Sequence, residues 1–285
     1  MKFLKYLFLF VFSFVYSQNV TVTADKTTMS EAETTTFTAT LSATTGSDVI
    51  VNLTLGGTAK EDIDFTTAFT SKAGSIVAGG NGNGSAINQI NPYDLHVDSS
   101  KNIYIADQVN HRIIKWEPGA TSGTVVAGGN GSGSALNQLN SPQGVYVDSS
   151  GNIYIADVQN HRIMKWAANA SEGVVVAGGN GGSNGLNQLK WPSNVFVDSS
   201  GNVYVLDNSN YRIMKWEPGA SEGTVVAGGN GGGSNLNQFA YNYGIFVDSS
   251  SNIFTTDYDN SRVMKWAPGA SEGTVVAGGN GRGSA

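Results

Sequence analysis

The sequence predicts an all-β protein: a β-propeller of four-stranded blades, about four of them, preceded by a partial β-sandwich. Three observations support this fold class. Ala-Gly-Gly-Asn-Gly recurs from position 78 with spacings of 49, 50, 50 and 50 residues, and such a period of short strands is typical of propeller blades. The chain has 37 glycines and only 13% charged residues, as expected for a turn-rich β protein. Residues 19–72 lack the period but alternate Thr with apolar residues, which favours strands of a separate module.

Residues 1–17 have the pattern of an export signal. Lys2 and Lys5 precede an apolar run at 6–16, and we expect cleavage after Ser17. The run is too short to span a bilayer, although an uncleaved anchor is the alternative. The chain has no cysteine, so packing and β pairing must hold it together outside the cytoplasm. We therefore expect a secreted or cell-surface protein with no transmembrane segment in the mature chain.

The charge balance disfavours polyanionic partners. The formal net charge is −6, and it becomes −8 if the two lysines of the leader, Lys2 and Lys5, are removed. A nucleic-acid-binding protein needs a basic face, which this composition can barely supply. Nucleic acid is therefore not an expected partner.

Each repeat divides into four predicted strands. In the second repeat, apolar and alternating runs predict strands at 144–148, 153–157, 161–166 and 174–179, with turns between them. The first of these strands carries apolar residues on both faces, as expected for a sheet sandwiched between neighbouring blades.

Asp, Asn and Arg recur between the second and third strands of each repeat. In "ADVQNHRIMKW", Asp157 can accept hydrogen bonds from turn amides, Asn160 tolerates unusual turn angles, and Arg162 lies opposite Asp157. Losing one member of such a pair costs about 3–5 kcal/mol if the pair is buried between blades, whereas an exposed pair is worth about 0–1 kcal/mol. Either way we predict a structural role for the four pairs, which are Asp107 with Arg112, Asp157 with Arg162, Asp207 with Arg212, and Asp257 with Arg262.

The histidines do not indicate catalysis. His111 and His161 are replaced by Tyr211 and Ser261 in the later repeats, so this position is predicted to pack and cap. The third histidine is His96, at the position of Tyr146, Phe196 and Phe246. Three histidines, two of them in turns, do not readily form a three-His zinc site. The sequence also lacks a Gly-x-Ser-x-Gly elbow, a zinc helix motif and a phosphate-binding loop.

The segments "NIYIADQVNHRIIKW", "NIYIADVQNHRIMKW", "NVYVLDNSNYRIMKW" and "NIFTTDYDNSRVMKW" resemble the NHL repeat, and the resemblance covers residues 74–285. It implies a propeller, usually six-bladed, in which the first strand of each blade lines the central channel. Some enzymes, the amidating lyases and lactonases, also have propeller form. The resemblance therefore implies an alternative function, that of an enzyme with a metal or a substrate in the central channel.

The variable positions are candidates for ligand binding. By propeller geometry, the turn after the second strand and the long link between blades open on the same face, and both vary: the turns at 108–109, 158–159, 208–209 and 258–259, and the links before the first strands. Aromatic residues lie in these links, and exposed aromatic residues are common anchors in recognition. The alternative is drift in tolerant loops. The predicted ligand-binding residues are Tyr93, Asp94, Gln108, Gln159, Trp191, Tyr241, Tyr243 and Tyr258.

Residues 19–72 resemble the first half of a Calx-beta domain, through "SEAE", "FTATLS" and "VIVNLTLGGTA". The resemblance implies that Glu31 and Asp64 could ligate calcium, although the later strands and acidic cluster of that family are missing, and calcium needs six to eight oxygen ligands. The alternative for this segment is a structural cap. Apart from this calcium, no cofactor is expected.

Two features concern the ends of the repeat array. Residues 75–80 are predicted to form a fourth strand without its own preceding three. Residues 283–285 align with 133–135, where a further blade should begin, so we expect the sequence to be a fragment of a longer protein. The function predicted is non-catalytic binding of a protein or carbohydrate ligand, with the propeller enzyme as the alternative.

Overall fold

The computed structural model describes residues 20–24, 37–41 and 75–281. The chain divides into two compact units, Met1–Gly74 and Ser75–Ala285. In the first unit, β1 (Val20–Ala24) and β2 (Phe37–Leu41) form an antiparallel sheet, so the strand expected in "TFTATL" is present. The leader at 1–17, the rest of the expected sandwich, and the expected calcium ligands Glu31 and Asp64 lie outside the described residues.

The second unit consists of four antiparallel sheets, each with four strands in sequence order. Blade 1 contains β3 (Pro92–Val97), β4 (Ile103–Asp107), β5 (Arg112–Trp116) and β6 (Thr124–Gly128). Blade 2 contains β7 (Pro142–Val147), β8 (Ile153–Asp157), β9 (Arg162–Trp166) and β10 (Val174–Gly178). Blade 3 contains β11 (Pro192–Val197), β12 (Val203–Asp207), β13 (Arg212–Trp216) and β14 (Thr224–Gly228). Blade 4 contains β15 (Asn242–Val247), β16 (Ile253–Asp257), β17 (Arg262–Trp266) and β18 (Thr274–Gly278). This architecture confirms the all-β propeller blades that the repeat predicts.

The strand predictions differ from the structure by more than one residue in two places. In blade 2 the first strand begins two residues earlier than expected, because the register shift between Pro142 and Val145 still leaves Pro142 opposite Asp157. The prediction of a strand at 75–80 is wrong, since no strand is assigned there. The corresponding segment 124–128 pairs with the third strand of its own blade, and no described strand precedes 75–80 to serve as that partner.

The hydrophobic core lies between the blades. The cluster between blades 1 and 2 joins Tyr104 and Ile113 of blade 1 to Val145, Ile155 and Trp166 of blade 2. The same arrangement recurs between blades 2 and 3 and between blades 3 and 4. One face of each sheet therefore packs against the opposite face of the next sheet, as the apolar residues on both faces of the strands predict.

The first strands of successive blades are neighbours. Their aromatic side chains form a continuous arc, with ring centroids 4.9 Å apart for His96 and Tyr146, 5.1 Å for Tyr146 and Phe196, and 5.5 Å for Phe196 and Phe246. Burial lowers the pKa of His96. His96 is therefore one ring of an aromatic arc on the first strands of the four blades.

Short 3-10 helices follow the second strands of blades 1, 2 and 3, at Gln108–Asn110, Val158–Asn160 and Asn208–Asn210. Within the described part of the chain, no helix is long and apolar enough to cross a membrane.

Candidate binding face

The turn after the second strand is anchored by a buried ion pair. In blade 2, Arg162 donates from Nε to Asp157 Oδ2 at 2.7 Å. The other carboxylate oxygen, Asp157 Oδ1, accepts the backbone N–H of Asn140 at 2.7 Å. Asn160 donates to Asp157 Oδ2 at 2.8 Å and to the carbonyl of Gly133 at 2.8 Å. The turn is thereby joined to the link between blades 1 and 2.

Arg162 also holds that link through its remaining donors. It donates to the carbonyl oxygens of Ser134, Ala135 and Gln138 at distances of 2.8, 3.1 and 3.1 Å. The side chains of Arg162 and Asp157 are 7% and 0% exposed, so the pair is buried and its polar atoms are compensated by hydrogen bonds. The Nε–Oδ2 distance is 2.7 Å in blades 1 and 3 and 2.8 Å in blade 4, with similar burial.

The histidines of the turns connect neighbouring blades. His111 Nδ1 accepts the backbone N–H of Ser141 at 3.0 Å, and His161 Nδ1 accepts that of Trp191 at 3.3 Å. These histidines have left-handed backbones, with φ of 53° and 54°, and so does Tyr211 at 51°. This position therefore requires a left-handed backbone conformation in each blade. Sequence reasoning missed the link to the next blade, because no residue pattern marks a backbone N–H as a partner.

One end of the unit is formed by these turns together with the links that precede the first strands. We call this end the rim. The structure brings both kinds of segment together, since Gln159 donates its backbone N–H to the carbonyl of Asn140, and Tyr258 donates to that of Tyr241. Among the predicted ligand-binding residues, Gln159 is exposed and Gln108 and Asp94 are half-buried. The aromatic ones are exposed by 42% (Tyr93), 48% (Trp191), 37% (Tyr241), 44% (Tyr243) and 54% (Tyr258).

Three rim tyrosines of blade 4 pack on one another. The ring centroids of Tyr241 and Tyr243 are 5.4 Å apart at 56°, and those of Tyr243 and Tyr258 are 5.2 Å apart at 88°. Burial raises the pKa of Tyr93 in blade 1, and the charges of Tyr243, Tyr241 and Asp94 raise it further. Trp191 shares no ring contact with these tyrosines among the described residues, so the rim has an aromatic cluster and a separate tryptophan.

Not every variable turn position faces outward. We expected the variable pair at 158–159 to lie on the open face, and this is wrong for Val158, which is 4% exposed. In blade 3 the equivalent Asn208 is also 4% exposed, and its amide donates to the carbonyl of Asn242 at 2.7 Å and to Ser193 Oγ at 2.6 Å. Variation at this position therefore reflects packing between blades.

Asp94 is a half-buried carboxylate at the start of β3. Its Oδ2 accepts the backbone N–H of Val145 in blade 2 at 3.3 Å. Burial raises the pKa of Asp94, and hydrogen bonds from the backbone of Leu95 and Val145 lower it. No ion pair among residues 75–281 includes this carboxylate.

The described residues contain no group of three or more His, Cys, Asp or Glu side chains that could hold a metal ion.

Comparison with known proteins identifies the type of repeat. The family model of the NHL repeat matches residues 139–166, which include the whole of the first three strands of blade 2. No curated protein matches the sequence. The solved structure of a streptogramin B lyase has 13% sequence identity to this chain and a TM-score of 0.42. The match covers 64% of this chain and 52% of the lyase chain. The solved structure of a structural genomics protein of unknown function from Bacteroides thetaiotaomicron has 18% sequence identity and a TM-score of 0.48. The match covers 67% of this chain and 49% of the Bacteroides chain. The chain thus spans about half the length of each of these structures. Residues 75–281 therefore form β-propeller blades, and one of these blades contains a match to the NHL repeat.

Proposed function

We propose that the protein is a secreted or cell-surface binding protein that uses the rim to recognise a protein or carbohydrate ligand, without catalysing a reaction. The observation that carries the proposal is the concentration of exposed aromatic side chains on the rim: Tyr93, Trp191, Tyr241, Tyr243 and Tyr258. Tyrosine and tryptophan supply large contact areas with a polar group at the edge, and they are enriched among binding hot spots.

The architecture below the rim supports this role. Each rim turn is attached to a link by a buried ion pair, and the ion-pair distances differ by only 0.1 Å among blades. Variable loops on a rigid scaffold are a common arrangement of binding sites. Residues 1–17 supply the argument for export, and the net charge of −6 disfavours nucleic acid.

The proposal is tested with the full chain on a glycan array and against extracellular proteins of the source organism. Trp191→Ala and Tyr241→Ala should each weaken binding of a detected ligand by about tenfold or more. Val175→Ala, at an exposed position of the outer strand β10, is the matched control and should bind normally. Unchanged binding of every ligand by both rim variants would contradict the proposal.

Metal analysis separates this function from the alternative enzyme. Calcium bound by the N-terminal unit is also proposed, with Glu31 and Asp64 among its ligands, and the change Glu31→Gln with Asp64→Asn should then abolish it. Stoichiometric zinc or calcium that survives this double change would indicate a metal in the propeller and would favour the enzyme.

A further inference from the structure

The aromatic cluster of the rim, defined here as Tyr241, Tyr243 and Tyr258, belongs to blade 4 alone. The ring centroids of consecutive members are 5.4 and 5.2 Å apart, and the three residues are 37%, 44% and 54% exposed. Blade 2 forms the same four-stranded sheet without these rings. Its residues at the corresponding positions are Ser141, Gln143 and Val158. The blade fold therefore does not require the aromatic cluster.

The backbone of Tyr243 is held on both sides. Thr256 Oγ1 accepts the N–H of Tyr243 at 3.3 Å and that of the next residue at 2.8 Å, at a place where a register shift interrupts the pairing of β15 with β16. The amide of Asn194 in blade 3 donates to the carbonyl of Tyr243 at 2.9 Å. At the positions of Thr256 and Asn194, blade 2 has Ala156 and Gly144. The groups that fix Tyr243 are thus absent from the equivalent positions of blade 2.

The residue between two of the tyrosines is also tied to blade 3. Asn242 stands where each of the other blades has proline, so it has a backbone N–H to donate. This N–H donates to Asn208 Oδ1 at 3.1 Å, and Asn208 Nδ2 donates to the carbonyl of Asn242 at 2.7 Å. Both residues are buried. The segment that carries Tyr241 and Tyr243 is therefore fixed before a ligand binds, which reduces the entropy lost on binding.

The chemistry of the cluster favours a neutral ligand that is rich in hydroxyl groups. The side chains that hold Tyr243 by hydrogen bonds or ring contacts are all uncharged, namely Asn194, Thr256, Tyr241 and Tyr258. The negative faces of tyrosine rings attract the slightly positive C–H groups of a sugar ring, and their phenol groups can exchange hydrogen bonds with sugar hydroxyls. Asp259, next to Tyr258 in sequence, and the net charge of −6 disfavour an acidic glycan.

The size of the cluster favours a short sugar segment over a protein surface. A tyrosine side chain can bury about 150–250 Å², so the exposed fractions of the three residues correspond to about 200–340 Å². A stable protein interface buries about 800 Å² on each partner. By their centroid separations, the three rings lie within the length of a short oligosaccharide.

We propose that the aromatic cluster binds a neutral oligosaccharide, with one sugar ring stacked on Tyr243 and the adjoining sugar units in contact with Tyr241 and Tyr258. Thr256 and Asn194 are positioning residues, which fix Tyr243 without touching the sugar. This inference rests on the proposed binding function of the rim and specifies the ligand class that one part of the rim recognises.

The test uses the full chain and a panel of trisaccharides, with binding followed by NMR. The neutral members are cellotriose, laminaritriose, mannotriose, maltotriose and triacetylchitotriose. The charged members are trigalacturonate and triglucosamine, which is the deacetylated form of triacetylchitotriose. At least one neutral trisaccharide should bind about tenfold or more tightly than either charged one, and its affinity should change by less than about twofold between about 0.05 M and about 0.5 M NaCl. Tighter binding of a charged member, or no binding of any neutral member, would overturn the proposal.

Variants that carry the residues of other blades then locate the site while respecting the fold. Tyr243→Gln should weaken binding of the neutral trisaccharide by about tenfold or more, and Tyr241→Ser and Tyr258→Gln should each weaken it by about threefold or more. Tyr211→His is the matched control, because Tyr211 is a 38% exposed tyrosine outside the cluster and blade 2 has histidine there. It should leave the affinity unchanged. Normal binding by all three cluster variants would contradict the assignment.

Thr256 tests whether the position of Tyr243 matters. Thr256→Val removes the hydroxyl that accepts the two N–H groups but leaves all three rings in the chain, and it should weaken binding of the trisaccharide by about threefold or more. Thr256→Ser keeps the hydroxyl and should bind normally. Equal affinities of these two variants would contradict the positioning role.

The two proposals fail separately. If no neutral trisaccharide binds, but Trp191→Ala and Tyr241→Ala weaken binding of a protein ligand, the sugar site is wrong and the binding function stands. If a sugar binds through Tyr243 and the protein converts it into a product that mass spectrometry detects, the non-catalytic function is wrong and the sugar site stands.

Discussion

Blades 2 and 3 each lie between two other blades, whereas blades 1 and 4 are each flanked by one blade within residues 75–281. Equivalent valines show the difference. Val147 of blade 2 and Val197 of blade 3 are 5% and 2% exposed, but Val97 of blade 1 is 47% exposed. Nearly identical strands therefore differ in burial because the neighbouring blade, and not the strand's own sheet, covers this face. Apolar stabilisation in the unit is consequently a property of pairs of adjacent blades.

The ion pairs behave differently from the valines. The Arg and Asp side chains are 6–7% and 0% exposed in all four blades. The explanation is that each arginine binds the link that precedes its own blade: Arg112 binds the carbonyl of Ser85, and Arg262 binds that of Ser234. The ion pair is therefore a local device, equally complete in blades with one or two neighbours.

The largest expected effect tests this local character. Arg162→Leu in blade 2 leaves Asp157 buried without its cation, and it should lower the free energy of unfolding by about 3–5 kcal/mol. Arg262→Leu in blade 4 should have a similar effect, because its pair is equally buried. Urea denaturation followed by tryptophan fluorescence measures both. A much smaller effect in blade 4 would show that the pair depends on neighbouring blades.

A glycine at the end of a fourth strand should have the next largest effect. Gly178 has a φ of +68°, and a Cβ there would lie 2.5 Å from the carbonyl oxygen of His161. Gly178→Ala should therefore destabilise the protein by about 2–3 kcal/mol. The matched control is Gly131→Ala, with a φ of +80° but open space around it, and it should cost about 1 kcal/mol. Equal thermal stabilities of the two variants would contradict a steric role for the backbone contact.

The valines provide the direct test of blade-to-blade packing. Val147→Ala removes two methyl groups from the cluster between blades 1 and 2 and should lower the free energy of unfolding by about 2 kcal/mol. Val97→Ala, at the same register on the exposed face of blade 1, should change it by less than about 0.5 kcal/mol. The same denaturation experiment compares them, and similar losses would mean that Val97 is covered in solution.

Much of the fold follows from local sequence patterns. The 50-residue period, the alternation within strands and the Asp–Arg spacing predict the blades, and the turn between Asp157 and Arg162 places this pair opposite one another. The same patterns cannot show which turn residues a neighbouring blade covers. Val158 was therefore expected on the open face although it is buried, and residues 75–80 were expected to form a strand although no described strand pairs with them.

The candidate site could be predicted only in part, for the same reason. Variation and aromatic content select Tyr93, Tyr241 and Tyr243 one by one. The packing of Tyr241 on Tyr243 and of Tyr243 on Tyr258 depends on the paths of the link and the turn in blade 4, which residue types alone do not show. The hydrogen bond from Trp191 to His161 likewise connects consecutive blades through a backbone group, which leaves no trace in side-chain patterns.

The smallest expected effect concerns that hydrogen bond. His161→Tyr gives blade 2 the residue that blade 3 has at this position, and it removes the Nδ1 acceptor of the Trp191 N–H. The cost should be about 0.5–1.5 kcal/mol, the net value of one hydrogen bond, well below that of Arg162→Leu. Trp191 is 48% exposed while the four other tryptophans are 1% exposed, so acrylamide quenching reports mainly on Trp191 and should increase as its link loosens.

Tyr211→Phe is the matched control and should change neither the stability nor the quenching. A loss in His161→Tyr as large as in Arg162→Leu would mean that the connection between consecutive blades, and not the ion pair within each blade, is the main support of the rim.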